Sequence, residues 1–386
     1  MNAAVIPTPS HAQASLRILF VVDGRFPATG GAEMQARMLA AALVRAGHRI
    51  SVLAPRIDDA HPVHEVLDGV PVRRLGYPRI KGLGAMLLNL RFAAWLLLHQ
   101  REFDAIHIHM MHNLAGAAGW LKPWLKPRVA VKVSGAAEFH GGILDPGLRG
   151  GLKHRLLNFG ARRLDIFQCI SQHTLLILRK AGYPEDRLHL IPNAVDARRF
   201  DAAQAGRDGP VRVVFAGRHV PVKALDVLLR AWARVRAPQG SQLVLAGDGP
   251  EHAALLALAR ELGIEARVQF PGMVSDIPGL FRDAQLYVQA SHQEGLPNAV
   301  LEAMAGALPV VATRVSGHED VVRDGSTGLL VPPADPAALA QALQTLVDSP
   351  ELRQRMGMAG RDAVLAGYSP ERVLEQLLRL YRGERA

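Results

Sequence analysis

The strongest constraint on the fold is an alternation. Apolar runs of four to seven residues are each followed by a longer stretch of helical periodicity, from Leu16 to near the C-terminus. In the first half the runs are Leu16–Val22, Arg49–Ala54, Asp104–His109, Val129–Val133, Ile166–Ile170 and Leu188–Ile191, and a helical stretch Ala32–Ala46 ends at Gly47. Runs this short and this continuous suit strands buried on both faces, which requires helices above and below a parallel sheet. A polar segment, Asp201–Pro210, then interrupts with Gly206, Gly209 and Pro210. Beyond it the alternation restarts with strands Val211–Phe215, Gln242–Ala246, Arg267–Phe270, Leu286–Gln289 and Pro309–Ala312. Helices fit Ala224–Val235, Glu251–Leu262, Asn298–Ala305 and Pro336–Val347.

The expected fold is therefore α/β, with two Rossmann-like doubly wound domains facing across a cleft. A chain of 386 residues has the length for two such cores. The expected boundaries are a loose tail over 1–15, a first domain over 16–205 and a second over 206–369. A last helix, Pro370–Arg382 within 370–386, follows a break at Gly367-Tyr368-Ser369 and is expected to cross back onto the first domain. Aromatics are only 5% of residues, so the cores must rest on Leu, Val, Ala and Ile. The single cysteine, Cys169, lies in an apolar run, which suits a buried, inert thiol and excludes an internal disulfide. The longest apolar stretch, Leu83–Leu98, is broken by Asn89 and Arg91 and falls short of the roughly 20 residues that span a bilayer. Residues 1–15 lack a basic start and an apolar core, so a cytoplasmic location is expected.

Charge is unevenly placed. Residues 1–205 hold 26 Lys and Arg against 15 Asp and Glu, whereas residues 206–386 hold 19 against 20. In the first half the cations lie beside large apolar residues: Arg79, Lys81, Arg91 and Arg101 around Met86, Phe92 and Trp95, Lys122, Lys126 and Arg128 around Trp120 and Trp124, and Lys153, Arg155, Arg162 and Arg163 around Phe159. Such a pattern suits the headgroup region of an anionic membrane, with a solvated rim around core residues as the alternative. Nothing points to a nucleic-acid partner.

Open α/β sheets bind ligands outside the carboxyl ends of their strands, so the loops there have to supply function. The first, Asp23–Glu33, carries Gly30-Gly31 between a strand and a helix start. Missing side chains there let a phosphate or sugar reach backbone N–H groups, although a plain turn would read the same way. It is not the G-x-G-x-x-G of nicotinamide enzymes. The second, Phe215–Lys223, places Arg218 and Lys223 five apart before a helix, an arrangement that clamps a diphosphate if the two are more than surface charges. The third, Ser291–Ala305, has Glu294 in a loop and Glu302 in an apolar helix, with Pro297 in its first turn. The amides of Gly295 and Leu296 are then free for a ligand, and a hydroxyl-rich ligand would account for Glu302.

Taken together, Glu294-x7-Glu302, Gly217-Arg218…Lys223, Gly30-Gly31, Ile191-Pro192-Asn193-Ala194-Val195-Asp196, and Gly317…Glu319 with Thr327-Gly328 resemble the large family of retaining glycosyltransferases with the GT-B fold. The likeness runs from Leu16 to about Arg382. It implies that Arg218 and Lys223 hold the diphosphate of a nucleotide-diphosphate sugar and stabilise the leaving group. By the same likeness Glu294 contacts the donor sugar, Glu302 the ribose hydroxyls, Gly31 the diphosphate from the opposite domain, and Val274 the base. Gly30, Gly295, Leu296 and Asn298 complete the donor-binding set. The acceptor implied is a saccharide or lipid-linked hydroxyl, as in cell-envelope synthesis.

Two departures stand out. Ala224 replaces the glycine that usually follows the lysine, read from sequence as a mild change at a helix start. The His common at the end of strand Val129–Val133 is missing. Ser134–His140 stands there instead, leaving Glu138 or His140 to take its place, with His109 a further cleft-lining candidate. His107 and His109 alternate along one strand with no carboxylate or cysteine near in sequence, and no Asp-x-Asp ends a strand. No metal and no cofactor besides the nucleotide-sugar substrate are expected, the cationic pair doing the work of Mg²⁺. A nucleotide-sugar 2-epimerase and a non-catalytic sugar-binding paralogue are the competing functions.

Overall fold

The computed structural model describes residues 14–28, 30–80, 83–134, 138, 142–145, 147, 151–202, 206 and 208–384. The first sheet has eight strands in the order β3-β4-β2-β1-β5-β6-β7-β8: β1 Arg17–Val22, β2 Arg49–Pro55, β3 His64–Leu67, β4 Val70–Leu75, β5 Ala105–His109, β6 Arg128–Val133, β7 Ile166–Cys169 and β8 Leu188–Leu190. The second has six, ordered β11-β10-β9-β12-β13-β14: β9 Arg212–Ala216, β10 Gln242–Ala246, β11 Val268–Gly272, β12 Leu286–Gln289, β13 Val310–Thr313 and β14 Gly328–Val331. Among the described residues every strand pairing is parallel except β3–β4. That antiparallel edge turns on Asp68-Gly69, both with positive φ (51° and 78°), the backbone an Asp-Gly hairpin turn requires.

Each sheet reverses its winding once. In the first, the chain runs outward from β1 through β2 to β4, then returns to β5 and winds the other way, so the switch lies between β1 and β5. In the second it lies between β9 and β12. The loops leaving the carboxyl ends at those two points diverge and leave a crevice, the place where doubly wound sheets bind ligands. They are the loops beginning at Asp23, Met110, Gly217 and Ala290.

Apolar clusters cover both faces of both sheets. The terminal helix, Pro370–Arg382, belongs to the first: Val373, Leu374, Leu377, Leu380 and Tyr381 pack with Leu39 and Leu43 of helix Gly31–Arg45 and with Ile18 and Phe20 of β1. The Tyr381 hydroxyl meets His107 Nδ1 on β5 at 2.5 Å, fixing the helix's register. On the outward path the chain joins the second core before the glycine-rich segment. Val195, Ala197 and Phe200 pack with Phe281, Val300 and Met304. The two crossings touch, for Val195 N–H donates to Tyr368 C=O at 2.8 Å.

The Leu83–Leu98 stretch forms helix Leu83–His99, burying Leu88, Phe92 and Leu96 and leaving Met86, Leu90 and Leu98 outside. No helix among the described residues is long and apolar enough to cross a membrane. Trp95 stacks on His99 and is half-buried, Phe92 is buried, and Trp120, Trp124 and Phe159 are exposed. Cys169 is buried, and burial pushes its thiol up to about 12.

Candidate active site

At the switch point of the second sheet, the loops after β9 and β12 are joined by His292 N–H donating to Val222 C=O at 2.8 Å. This brings Lys223 Nζ within 2.6 Å of Glu294 Oε1. The same oxygen accepts from Ser291 Oγ at 2.6 Å and Gln289 Nε2 at 2.5 Å, so Glu294, 9% exposed, is held by three donors. Burial pushes its carboxyl up, but Lys223, His318 and Ser291 outweigh burial and hold it below the usual carboxylate range. An anionic Glu294 against a cationic Lys223 is the resting state. Arg218 is exposed and makes no ion pair among the described residues, leaving its guanidinium open to an anion.

Backbone packing fixes this pair. Gly317, in the short helix Ser316–Glu319, lies so close to the Glu294 loop that a Cβ would stand 2.6 Å from Gly295 C=O and 2.9 Å from Glu294 Cβ. Ala224 is more than a mild change. It takes a left-handed conformation (φ 48°, ψ 45°), which explains why a glycine suits the position and costs an L-residue about 1–2 kcal/mol. The helix Asn298–Ala305 begins after Pro297, which sits at its N-cap rather than inside its first turn. No protein acceptor among the described residues takes the amides of Gly295 and Leu296. Glu302 is half-buried on this helix with no hydrogen-bond donor on its carboxylate among the described residues, and burial raises it to about 7 against the pull of Arg199. Val274 is half-buried just beyond β11.

The opposite wall is close. Gly30 caps helix Gly31–Arg45 without a side-chain bond, leaving that helix's first amides unsatisfied by any cap. Across the cleft Asn298 Nδ2 donates to Gly31 C=O at 3.1 Å, and a Cβ on Gly31 would stand 3.0 Å from that nitrogen. Asn298 Oδ1 accepts from Asn193 Nδ2 at 2.8 Å and from Gln35 Nε2 at 3.4 Å, while Gln35 also grips both backbone groups of Ala194. Asn298 therefore links the domains with its side chain instead of presenting that side chain to a donor. Gln35 gave no sequence signal, being one polar residue in an apolar helix; Asn193 stood within a quoted motif without a role.

The first-domain candidates fare differently. His109 ends β5 but is fully buried, so it does not line the cleft. Neither of its ring nitrogens has a hydrogen-bond partner among the described residues, and burial with His107 and Lys132 holds it well below the usual histidine range. Glu138 is likewise fully buried, its Oε1 accepting from the amides of Ser134 (2.8 Å) and Met111 (3.3 Å), a backbone-holding position rather than an open one. His140 lies outside the described residues. Sequence reading missed Lys132, opposite His109 in register on β6, 1% exposed and without a hydrogen bond at Nζ among the described residues; burial lowers it to about 7 although Glu138 pulls the other way. It also missed Asp23, at the end of β1, which accepts from Leu114 N–H at 2.7 Å and which burial raises to about 6. Among the described residues no group of three or more His, Cys, Asp or Glu could hold a metal ion.

Comparison with known proteins accounts for both halves. Residues 29–199 match glycosyltransferase family 4 and residues 210–349 match glycosyl transferases group 1. A D-inositol 3-phosphate glycosyltransferase of Nocardia farcinica is 30% identical over 91% of this chain and 84% of its own. The N-acetyl-alpha-D-glucosaminyl L-malate synthase of Bacillus anthracis is 27% identical over 73% and 75%. Among solved structures, Anabaena HepE in complex with UDP and glucose superposes with a TM-score of 0.77 at 20% identity, covering 95% of this chain and all of that one. Sucrose-phosphate synthase from Thermosynechococcus elongatus gives 0.79 at 23% identity, covering 95% and 98%. With two facing α/β domains, a switch-point loop pair in each and this likeness along nearly its whole length, the chain belongs to the GT-B glycosyltransferases of group 1 and family 4.

Proposed function

We propose that the protein transfers a hexose from a nucleotide-diphosphate sugar to a hydroxyl of a saccharide or lipid-linked acceptor, with retention of anomeric configuration. The observation that carries this reading is the Lys223–Glu294 pair at 2.6 Å, with Arg218 on the same loop exposed and without an ion pair among the described residues. Two cations on the loop that leaves β9 would meet the main demand of the reaction, which is the negative charge that grows as the bond from anomeric carbon to phosphate oxygen breaks. Groups already in place stabilise that charge more in the transition state than in the ground state. In support, HepE has been solved in complex with UDP and glucose, and two relatives are named a D-inositol 3-phosphate glycosyltransferase and an N-acetyl-alpha-D-glucosaminyl L-malate synthase.

In this reading Arg218 and Lys223 hold the diphosphate, and Gly30 and Gly31 offer amides from the opposite helix N-terminus. Glu294 stays anionic next to the sugar, Gly295 and Leu296 supply free amides, Glu302 accepts from the ribose hydroxyls, and Val274 lies beside the base. The acceptor hydroxyl attacks from the face the diphosphate leaves, and the leaving phosphate takes its proton. A glycosidase-like route through a carboxylate pair is the alternative mechanism, and the family resemblance favours the front-face one.

The clamp needs no metal and no cofactor. Radiolabelled nucleotide-sugars tested for nucleoside diphosphate release, with and without EDTA, check it: release should persist in EDTA, and loss restored by Mg²⁺ or Mn²⁺ would overturn the metal-free clamp. Release without transfer to any acceptor, with inversion at C2, would favour the epimerase. We also place the protein on the inner face of an anionic membrane, on the support of exposed Trp124, Leu152 and Phe159 among Lys and Arg. Sedimentation with anionic but not neutral vesicles, fading with salt, is the expected result.

A further inference from the structure

Two concavities of the first domain, about 430 and 540 Å³, meet at His154 on helix Leu152–Ala161. The inner one opens at the switch point of the first sheet, where Asp23 leaves β1 and His112 and Asn113 follow β5. Asp23 is the carboxylate of its floor, and no cation pairs with it among the described residues. Its remaining oxygen is open to accept from a hydroxyl. Lys153 and the N-cap Gly151 stand on the rim, and no side chain caps that helix, so its positive end faces the inner space.

The outer concavity changes character. Arg155 and Arg162 flank Leu156 and Phe159, which are 46% and 51% exposed, and Leu152 nearby is 73% exposed. Arg162 is already committed to Asn158 Oδ1 at 3.1 Å and to the Ala181 carbonyl, and Arg163 lies over the rings of Trp120 and Phe159. Lys153 and Arg155 have no ion pair among the described residues. His154 lines both spaces, and its shielded Nε2 has no hydrogen-bond partner among the described residues. The path therefore runs from Asp23, past Lys153 and Arg155, an N-cap without a side-chain bond and the His154 Nε2, onto an exposed apolar strip.

We propose that this groove is the acceptor site and that the acceptor is an anionic amphiphile: a hydroxyl-bearing head at Asp23, a phosphate or carboxylate at Lys153, His154 and Arg155, and an apolar chain over Leu156 and Phe159. The inference rests on the transferase reading for the identity of the ligand as acceptor, but the binding chemistry is testable by itself. A neutral acceptor would leave both cations and the helix end without a counter-charge. A small anion without a chain would leave the apolar strip wet.

The probe is monomeric dodecyl phosphate, titrated calorimetrically into the full chain, with dodecyl maltoside and inorganic phosphate as comparisons. Saturable binding of dodecyl phosphate is expected, at least 10-fold tighter than either comparison. It should weaken at least 10-fold in Lys153→Ala/Arg155→Ala and in Leu156→Ser/Phe159→Ser. UDP and GDP binding, measured in the same variants, should stay at the wild-type value, which also shows that they fold. Equal binding by the cation double variant, or equal binding of dodecyl maltoside, overturns the proposal. Binding only to anionic vesicles and not to the monomeric probe overturns it too, leaving a membrane-docking patch. Failure of the wild type to bind any nucleoside diphosphate would count against the donor reading and leave this result interpretable.

Discussion

Replacing Lys223 with Met removes the cation from a carboxylate that folding has already taken largely out of water. Glu294 Oε1 keeps Ser291 and Gln289, so the variant loses one donor of three and the only ammonium. Removing one partner of a fully buried ion pair costs about 3–5 kcal/mol. Here the Lys223 side chain remains 21% exposed and solvent reaches the pair, so the cost falls to about 1–3 kcal/mol at neutral pH. The sign with pH follows from the direction of the shift. Against burial, Lys223, His318 and Ser291 hold the Glu294 carboxyl below its ordinary range. A depressed carboxyl contributes stability that is present above its unfolded pKa of about 4.3 and lost as pH falls through the folded one. Without Lys223, burial raises the carboxyl and protonation relieves the variant, so the difference closes at low pH. At about 2–4 °C per kcal/mol for a domain of this size, the second domain's melting temperature should drop by about 2–12 °C at pH 7.5 and by less than half of that at pH 4.5. Transfer should fall by about 10²–10³-fold. Calorimetry at the two pH values and turnover of the folded variant provide the test. An unchanged melting temperature at pH 7.5 with near-normal turnover would refute both the pairing and its role.

Three further outcomes follow from the site. Glu302, raised to about 7 by burial, must be anionic to accept from two ribose hydroxyls, so donor binding should release protons between pH 6 and 8 and tighten as pH rises; calorimetry in buffers of different ionisation enthalpy should show this in wild type and not in Glu302→Gln. Asn298→Ala removes the cross-domain bonds to Gly31, Asn193 and Gln35; hydrogen exchange should speed up at Ala194, whose N–H is held by Gln35, and kcat should fall more than donor affinity, with Asn298→Asp a poor rescue because Gly31 C=O needs a donor. Lys132→Met should stabilise the first domain by about 1 kcal/mol, since burial of the ammonium outweighs the pull of Glu138 on it. A lysine lowered to about 7 loses folded-state stability as pH falls from about 10 towards 7, so the gain in thermal melts should be larger at pH 7 than at pH 10.

The parallel sheets were legible because strands buried on both faces leave continuous apolar runs, and helices such as Asn298–Ala305 and Pro336–Val347 begin and end where their caps and periodicity place them. The hairpin β3–β4 was not, because an edge strand alternates weakly: Val66 is exposed and Glu65 and His64 are polar, although Asp68-Gly69 was there as a turn signal. Helices Leu152–Ala161, Gln172–Lys180 and Pro350–Gly367 carry mixed, cation-rich faces that blur the apolar stripe. Within the site, residues that act through loops with a chemical pattern, Lys223 and Glu294, were visible. The cross-domain contact was not: Asn298 was read only as a donor-binding residue and Gln35 had no role, for the two lie 263 residues apart and nothing local marks either as half of a contact.

The central claim is that the cleft grips a diphosphate through Arg218 and Lys223. Its most direct test is the melting temperature of the wild type and of Arg218→Ala/Lys223→Ala against uridine, its mono- and diphosphate, and the guanosine series. A ligand at about 100 times its Kd stabilises by about 2.7 kcal/mol. At least one diphosphate should raise the wild-type melting temperature by several degrees, and the double variant should lose most of that gain while responding to the monophosphate much as before. An equal response of both proteins to the diphosphate, or none from the wild type to either diphosphate, would contradict the account.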